Sequence, residues 1–184
     1  MYAADEQSDC DVELGVWVAL ADAVLNDRGI KGDAELSMLF IDEAAITSLN
    51  ERFMGRAGAT DVLAFPVDDV ELPSGRYPDS CGSGPEAGSQ LECASEGAPP
   101  LLVGDVVICP VVAERNAKDH GVSLDDEIAL LVVHGILHLL GMDHVSTSDA
   151  VQMEAVERQI LERHYSRVRR LCSGAGDDVD GGDG

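Results

Sequence analysis

The sequence predicts an α+β domain, a small mixed β-sheet packed with helices. Three observations predict it. Segments whose apolar residues recur every three to four positions alternate with shorter segments whose apolar residues recur every two. Gly, Pro and cap-forming side chains mark the breaks between them. The chain has 184 residues and a hydrophobic content of 45%, enough for one buried core. Aromatic residues make up only 4%, so Leu, Val, Ile and Ala must fill that core.

Residues 12–27 place Trp17, Leu20 and Val24 on one stripe, an amphipathic helix ending at Gly29. Residues 34–41 alternate Leu36, Met38 and Phe40 on one face and read as a strand. Asp42 can cap a helix running through Ala45, Ile46, Leu49 and Phe53. Residues 60–65 read as a short strand ended by Pro66, and residues 101–109 as a mostly buried one. Pro110 suits the first turn of a helix through Val112, Ala113 and Ala117, ending near Gly121. Ser123, with Asp126 three residues on, can cap a further helix that ends at Gly141. The last helix starts near Ser148 and carries Met153, Val156 and Ile160 on one stripe.

Two segments lack periodicity. Residues 71–100 are rich in Gly, Ser, Pro and Ala and read as a long loop or disordered insertion. Residues 173–184 form an acidic, Gly-rich tail, leaving residues 1–172 as a single domain. The longest apolar stretch, Ile128 to Leu140, contains two histidines and a glycine and is too short to span a bilayer. The acidic start of the chain has no apolar signal region, so a cytoplasmic location is expected. The five cysteines show no C-x-x-C spacing. Cys109 falls in a strand-like run as a small buried residue; Cys81 and Cys93 could bridge within the loop, but reduced thiols are the simpler reading. The formal charge of −23 repels nucleic acid at long range. Salt screens that repulsion beyond about 8 Å, so an RNA substrate requires only a locally positive site.

The segment His134-Gly-Ile-Leu-His138-Leu-Leu-Gly141-Met-Asp143-His144 carries the chemistry. Four helical residues advance roughly 400°, so His134 and His138 lie within about 40° of each other and about 6 Å apart along the axis. Gly141 can adopt a conformation closed to other residues, end the helix and let the chain fold back to bring His144 to the same point. Three imidazoles with an open fourth position are a catalytic zinc arrangement, so one zinc ion per chain and a hydrolytic reaction are expected. The fold prediction therefore includes a three-histidine zinc site on a central helix and the turn after it. The metzincin protease pattern H-E-x-x-H-x-x-G-x-x-H has the same His and Gly spacings. Its general base, a Glu, falls where this chain has Gly135, which cannot take a proton. That glycine reflects either a bulky approach to the helix or close packing on the sheet. His120 and His164 are expected to face solvent. Arg158, Arg163, Arg167, Arg169 and Arg170 cluster in the last helix, where they could meet RNA phosphates, or complement the helix C-terminal dipole and balance nearby glutamates.

The segment HGILHLLGMDH resembles the signature of the YbeY family of bacterial rRNA maturation factors and endoribonucleases. Thr60-Asp61-Val62-Leu63-Ala64-Phe65-Pro66 is similar to that family's T-D-V-L-S-F-P block, and Gly104-Asp105-Val106-Val107-Ile108-Cys109 to its G-D-I-V-I-C strand. The blocks occur in family order, and the resemblance covers roughly residues 12–170. It implies zinc on His134, His138 and His144 and single-strand-specific endoribonuclease activity. It also implies maturation of the 3′ end of 16S rRNA, a part in ribosome quality control, and the small ribosomal subunit or its assembly factors as partners. Neither DNA nor a membrane is expected as a partner.

The chain also departs from the family pattern. Many members carry Tyr-Arg before the T-D-V-L block, where this chain has Phe53-Met54; Arg52 or Arg56 could substitute, or be ordinary exposed charges. Met142 replaces a common Tyr, and the 71–100 insertion is long for the family. Asp143 could orient an imidazole or cap a turn. Asp61 and Asp105 could position substrate or water, or cap and form turns. The sequence offers no unambiguous general base, and either an activated water or the RNA's own 2′-hydroxyl could be the nucleophile. Two alternatives stand beside the nuclease: a noncatalytic ribosome-assembly factor with a structural metal, and a metal-dependent hydrolase of another bond, peptide or amide.

Overall fold

The computed structural model describes residues 1–30, 34–67, 101–142 and 146–173. Four strands form one sheet: β1 (Tyr2–Asp5), β2 (Ala34–Phe40), β3 (Val62–Pro66) and β4 (Leu101–Ile108). Their order is β1-β2-β4-β3; β1, β2 and β4 run parallel, and β3 pairs antiparallel to β4 at the edge. Six α-helices accompany them: α1 (Leu14–Asp27), α2 (Glu43–Leu49), α3 (Pro110–His120), α4 (Leu124–Leu139), α5 (Thr147–Ile160) and α6 (Ser166–Ser173). Wider π-helical turns at Asn50–Met54 and Leu161–Tyr165 extend α2 and join α5 to α6. The α+β expectation holds. No helix among the described residues is long and apolar enough to cross a membrane.

Alternation along the strands divides the core. Leu36, Met38, Phe40, Val106 and Ile108 turn to one face, where α1 and α4 cover them through Trp17, Leu20, Val24, Ile136 and Leu137. Leu63, Val107 and Cys109 turn to the other, under Ile46 of α2. Helix starts follow their caps: Asp42 accepts the Ala45 N–H at 2.8 Å, and Ser123 accepts the Asp126 N–H at 3.1 Å. A reciprocal capping box forms one helix later than expected, between Ser146 and Asp149 at the start of α5.

Beside Gly104 the register of β2 against β4 slips, so that Glu35 faces Leu102 but Leu36 faces Gly104. The slip leaves Val103 as an unpaired bulge residue. Gly104 has φ +137°, and a Cβ there would lie 2.4 Å from the Phe65 carbonyl oxygen, so the position admits glycine alone.

Three features differ from the sequence reading. β1 was not expected; it is a four-residue edge strand without a fully buried side chain, paired only to β2. α6 extends through Ser173, the residue assigned to the start of the tail. His164 does not face solvent freely, for its side chain is 20% exposed and its Nε2 lies 3.2 Å from Asp27 Oδ1 of α1. Helix periodicity alone could not reveal that partner, which is remote in sequence. The 71–100 insertion and residues 174–184 of the tail lie outside the described residues.

Candidate functional site

Helix α4 is buried on most of its circumference, with Ile128, Ala129, Val132, Val133, Ile136 and Leu137 each at most 1% exposed. Such a helix belongs at the centre of a core. It approaches the sheet closely at Gly135: a Cβ there would meet Val106 Cγ1 at 2.7 Å and Val62 Cγ2 at 3.5 Å. Close packing therefore accounts for this glycine. The position that carries the base in metzincin proteases points here into the sheet.

His134 and His138 occupy the remaining edge of the helix, one turn apart. Their Nε2 atoms lie 3.0 Å from each other, with ring centroids 4.5 Å apart and planes crossing at 77°. The helix ends directly afterwards in a Schellman motif. The Gly141 N–H donates to the His138 carbonyl at 2.9 Å, the Met142 N–H donates to the Leu137 carbonyl at 2.9 Å, and Gly141 has φ +85°. The turn therefore begins where the histidine spacing predicted. His144 and Asp143 lie outside the described residues. Among the described residues, no group of three or more His, Cys, Asp or Glu could hold a metal ion.

Sequence reasoning missed the partner of His134. Glu157 of α5 places Oε1 2.7 Å from His134 Nδ1, and Glu157 is 7% exposed. With Glu157 as the acceptor, Nδ1 donates to it, which leaves Nε2 as the nitrogen on the His138 side. The available signal was an acid at 157, four residues after buried Met153 and three before buried Ile160, hence on the core-facing stripe. The two nitrogens fit two positions of a zinc ion's shell: nitrogens each about 2.1 Å from one tetrahedral ion stand about 3.4 Å apart, against 3.0 Å here.

A groove of about 720 Å³ opens beside His134 between α4 and α5, lined among others by Leu130, Met153, Glu157, Arg158 and Leu161. Arg158 is the one cation lining it among the described residues. Other members of the arginine cluster are committed elsewhere: Arg163 pairs with Asp27, and Arg169 with Asp125 at 2.8 Å. Burial opposes ionisation of Asp27, but hydrogen bonds from His164, Arg28 and Arg163 outweigh it and hold the carboxyl below its ordinary range.

The remaining candidates are placed as follows. The Arg52 guanidinium lies 5.1 Å from the Phe53 ring centroid, and Phe53 packs edge-on against Phe65, 5.3 Å between centroids. Phe65 belongs to the sheet face opposite α4, packed against the cluster of Ile46, Leu63 and Val107. Arg56 is exposed. Asp61 organises the start of β3: Oδ1 accepts the Val62 N–H at 2.9 Å, and Oδ2 accepts from Asn116 Nδ2 at 2.9 Å. Asp105 is exposed, opposite Phe65 in the ladder. His120 is exposed, as expected, and its Nδ1 lies 3.1 Å from Glu127 Oε2. That contact raises its pKa above the usual value. Cys10, Cys109 and Cys172 are free, and burial pushes the Cys109 thiol up, as suits an inert core residue.

Fold and site together define an α+β protein in which a sheet-backed helix presents paired imidazoles steadied by a buried carboxylate. The family model for endoribonuclease YbeY matches residues 3–165. The chain belongs to that family. Endoribonuclease YbeY of Mycolicibacterium smegmatis is 41% identical over 156 residues, covering 85% of this chain and 78% of its own. The protein of the same name from Salinispora tropica is 41% identical over 155 residues, covering 84% and 90%. That from Rhodococcus erythropolis is 38% identical over 165 residues, covering 90% and 82%. In fold, the chain is similar to the solution structure of TM1509 from Thermotoga maritima, with a TM-score of 0.56 at 21% identity over 98% of this chain and 100% of that one.

Proposed function

We propose that the protein is a zinc-dependent, single-strand-specific endoribonuclease that matures the 3′ end of 16S rRNA and takes part in ribosome quality control. The observation carrying the metal reading is the convergence of His134 Nε2 and His138 Nε2 to 3.0 Å, with the opposite nitrogen of His134 tied to Glu157. His144 is the third ligand in this reading. Family membership, with relatives named endoribonuclease, supports RNA as the substrate.

When bound, the ion supplies Lewis acidity, making water a usable nucleophile near neutral pH and withdrawing charge from a phosphoryl oxygen. This chain's own residues prepare the place. Gly135 lets α4 settle on Val106, fixing the depth and rotation of the helix. Glu157 holds the His134 ring. Arg158, in the groove beside His134, is the cation placed to meet a backbone phosphate, offsetting locally a strongly acidic surface. Arg158 shares its groove with His134 and is the candidate for the charge missing at Met54.

The test is cleavage of a single-stranded RNA spanning a small-subunit rRNA 3′ end by zinc-loaded protein and by His138→Ala, with metal content measured in both. Cleavage by the loaded wild type alone is expected. Full cleavage by a metal-free His138→Ala would overturn the zinc reading. Absence of cleavage by folded, loaded wild type would favour a noncatalytic assembly role.

A further inference from the structure

We infer that Glu157 is a positioning residue for the metal centre: it holds the His134 ring in the rotation and tautomer that direct Nε2 towards the ion. This inference rests on the metal reading above.

The argument starts from burial. Glu157 is 7% exposed and lies on α5 between Met153, 2% exposed, and Ile160, 1% exposed. A carboxylate at such a position is unfavourable unless it is hydrogen-bonded. Its partner is His134 Nδ1 at 2.7 Å, at the short end of the charge-assisted range. Glu154 and Glu162 line the same groove but are exposed. Glu157 is therefore distinguished by its location and its partner, not by its charge alone.

The helices deliver it there. α5 starts from the Ser146–Asp149 capping box, and buried Met153 and Ile160 fix its rotation against the core. α4 is held against the sheet at Gly135. Two rigid helices thus set the separation of residues 134 and 157, and the hydrogen bond spans it. An imidazole held at Nδ1 loses its freedom to rotate about its side-chain bonds. With Nδ1 engaged by Glu157, Nε2 is the nitrogen left to face the ion.

The experiment compares zinc dissociation constants, measured by competition with a chromophoric chelator, for wild type, Glu157→Gln, Glu157→Ala, Glu154→Gln and His138→Ala. Long-range proton–nitrogen spectra of the loaded proteins report the His134 tautomer. Glu157→Ala is expected to weaken zinc binding about 10- to 100-fold and to lose the single Nδ1–H tautomer of His134. Glu157→Gln keeps an acceptor of the same shape, and should retain the tautomer with a smaller loss of affinity. Glu154→Gln should bind as wild type does. Wild-type affinity in both Glu157 variants, beside a large loss in His138→Ala, would overturn the inference and leave the metal centre standing. Equal zinc binding by wild type and His138→Ala would overturn the metal reading, and this inference with it. Glu157→Gln is isosteric and provides the decisive comparison if Glu157→Ala fails to fold.

Discussion

His134 and Gly135 are neighbours in the chain with opposite duties. His134 stands on the edge of α4 that looks towards α5, its side chain 27% exposed and both ring nitrogens engaged. Gly135 is buried against Val106, where even a methyl group would collide. The two faces of one helix therefore differ in their surroundings, close apolar packing on one and polar contacts on the other. The sheet-facing side sets how deep the helix lies and how it is rotated, while the imidazole side inherits its geometry from that packing. A rotation of about 100°, one residue's worth, would aim the imidazoles into the sheet.

The comparison predicts that substitutions on the two faces fail in different ways. The largest effect is expected from His138→Ala, which should lower RNA cleavage by about 10³-fold or more, about 4 kcal/mol of barrier. Stability of its metal-free form in urea should move by less than about 1 kcal/mol. A large loss of stability would break the separation of duties. On the opposite face, Gly135→Ala should destabilise by about 1–3 kcal/mol through overpacking, despite the gain of about 1 kcal/mol that alanine brings to a helix. Adding Val106→Ala should recover part of that loss, so the two changes couple in a double-mutant cycle. A stabilised Gly135→Ala would show that the helix has room to retreat.

Two smaller effects sharpen the contrast, because they concern histidine–carboxylate pairs away from the site. Asp27 receives His164, Arg28 and Arg163. Asp27→Asn should lower stability at neutral pH by about 2 kcal/mol and leave RNA cleavage unchanged. The folded carboxyl is held below its usual value of 3.8. Its contribution is therefore complete above that value and is lost as pH falls through the lower folded pKa. Urea denaturation at a series of acidic pH values should show a drop in wild type that Asp27→Asn lacks; parallel curves would remove this assignment. The smallest effect concerns His120. Its exposed contact with Glu127 raises its pKa above 6.5, so the associated stability is complete below that value and is lost as pH rises through the folded pKa. An NMR titration should place the His120 midpoint above 6.5, and Glu127→Gln should bring it down; an unmoved midpoint would assign the shift to another neighbour.

Much of the fold could be read from local signals. Trp17, Leu20 and Val24 on α1, and Leu36, Met38 and Phe40 on β2, are buried as their spacings require. Asp42, Ser123 and Pro110 start helices where expected. Each signal is local, because a helix or strand period and a cap are expressed within a few residues. β1 escaped because four residues at a sheet edge carry no burial pattern of their own. The site was half visible. Two imidazoles one turn apart and a helix-ending glycine are properties of a single helix, whereas Glu157 reaches His134 only after α5 docks on α4.

By itself, the sequence determined the α+β class, the paired imidazoles on α4 and the Gly141 turn, because backbone geometry converts residue spacing directly into position on one element. Only the tertiary structure decided what surrounds them: the sheet beneath Gly135, the carboxylate behind His134 and the pairing of Arg163 with Asp27. Those contacts join residues far apart in the chain. They depend on how helices and strands pack in three dimensions, which no local period encodes.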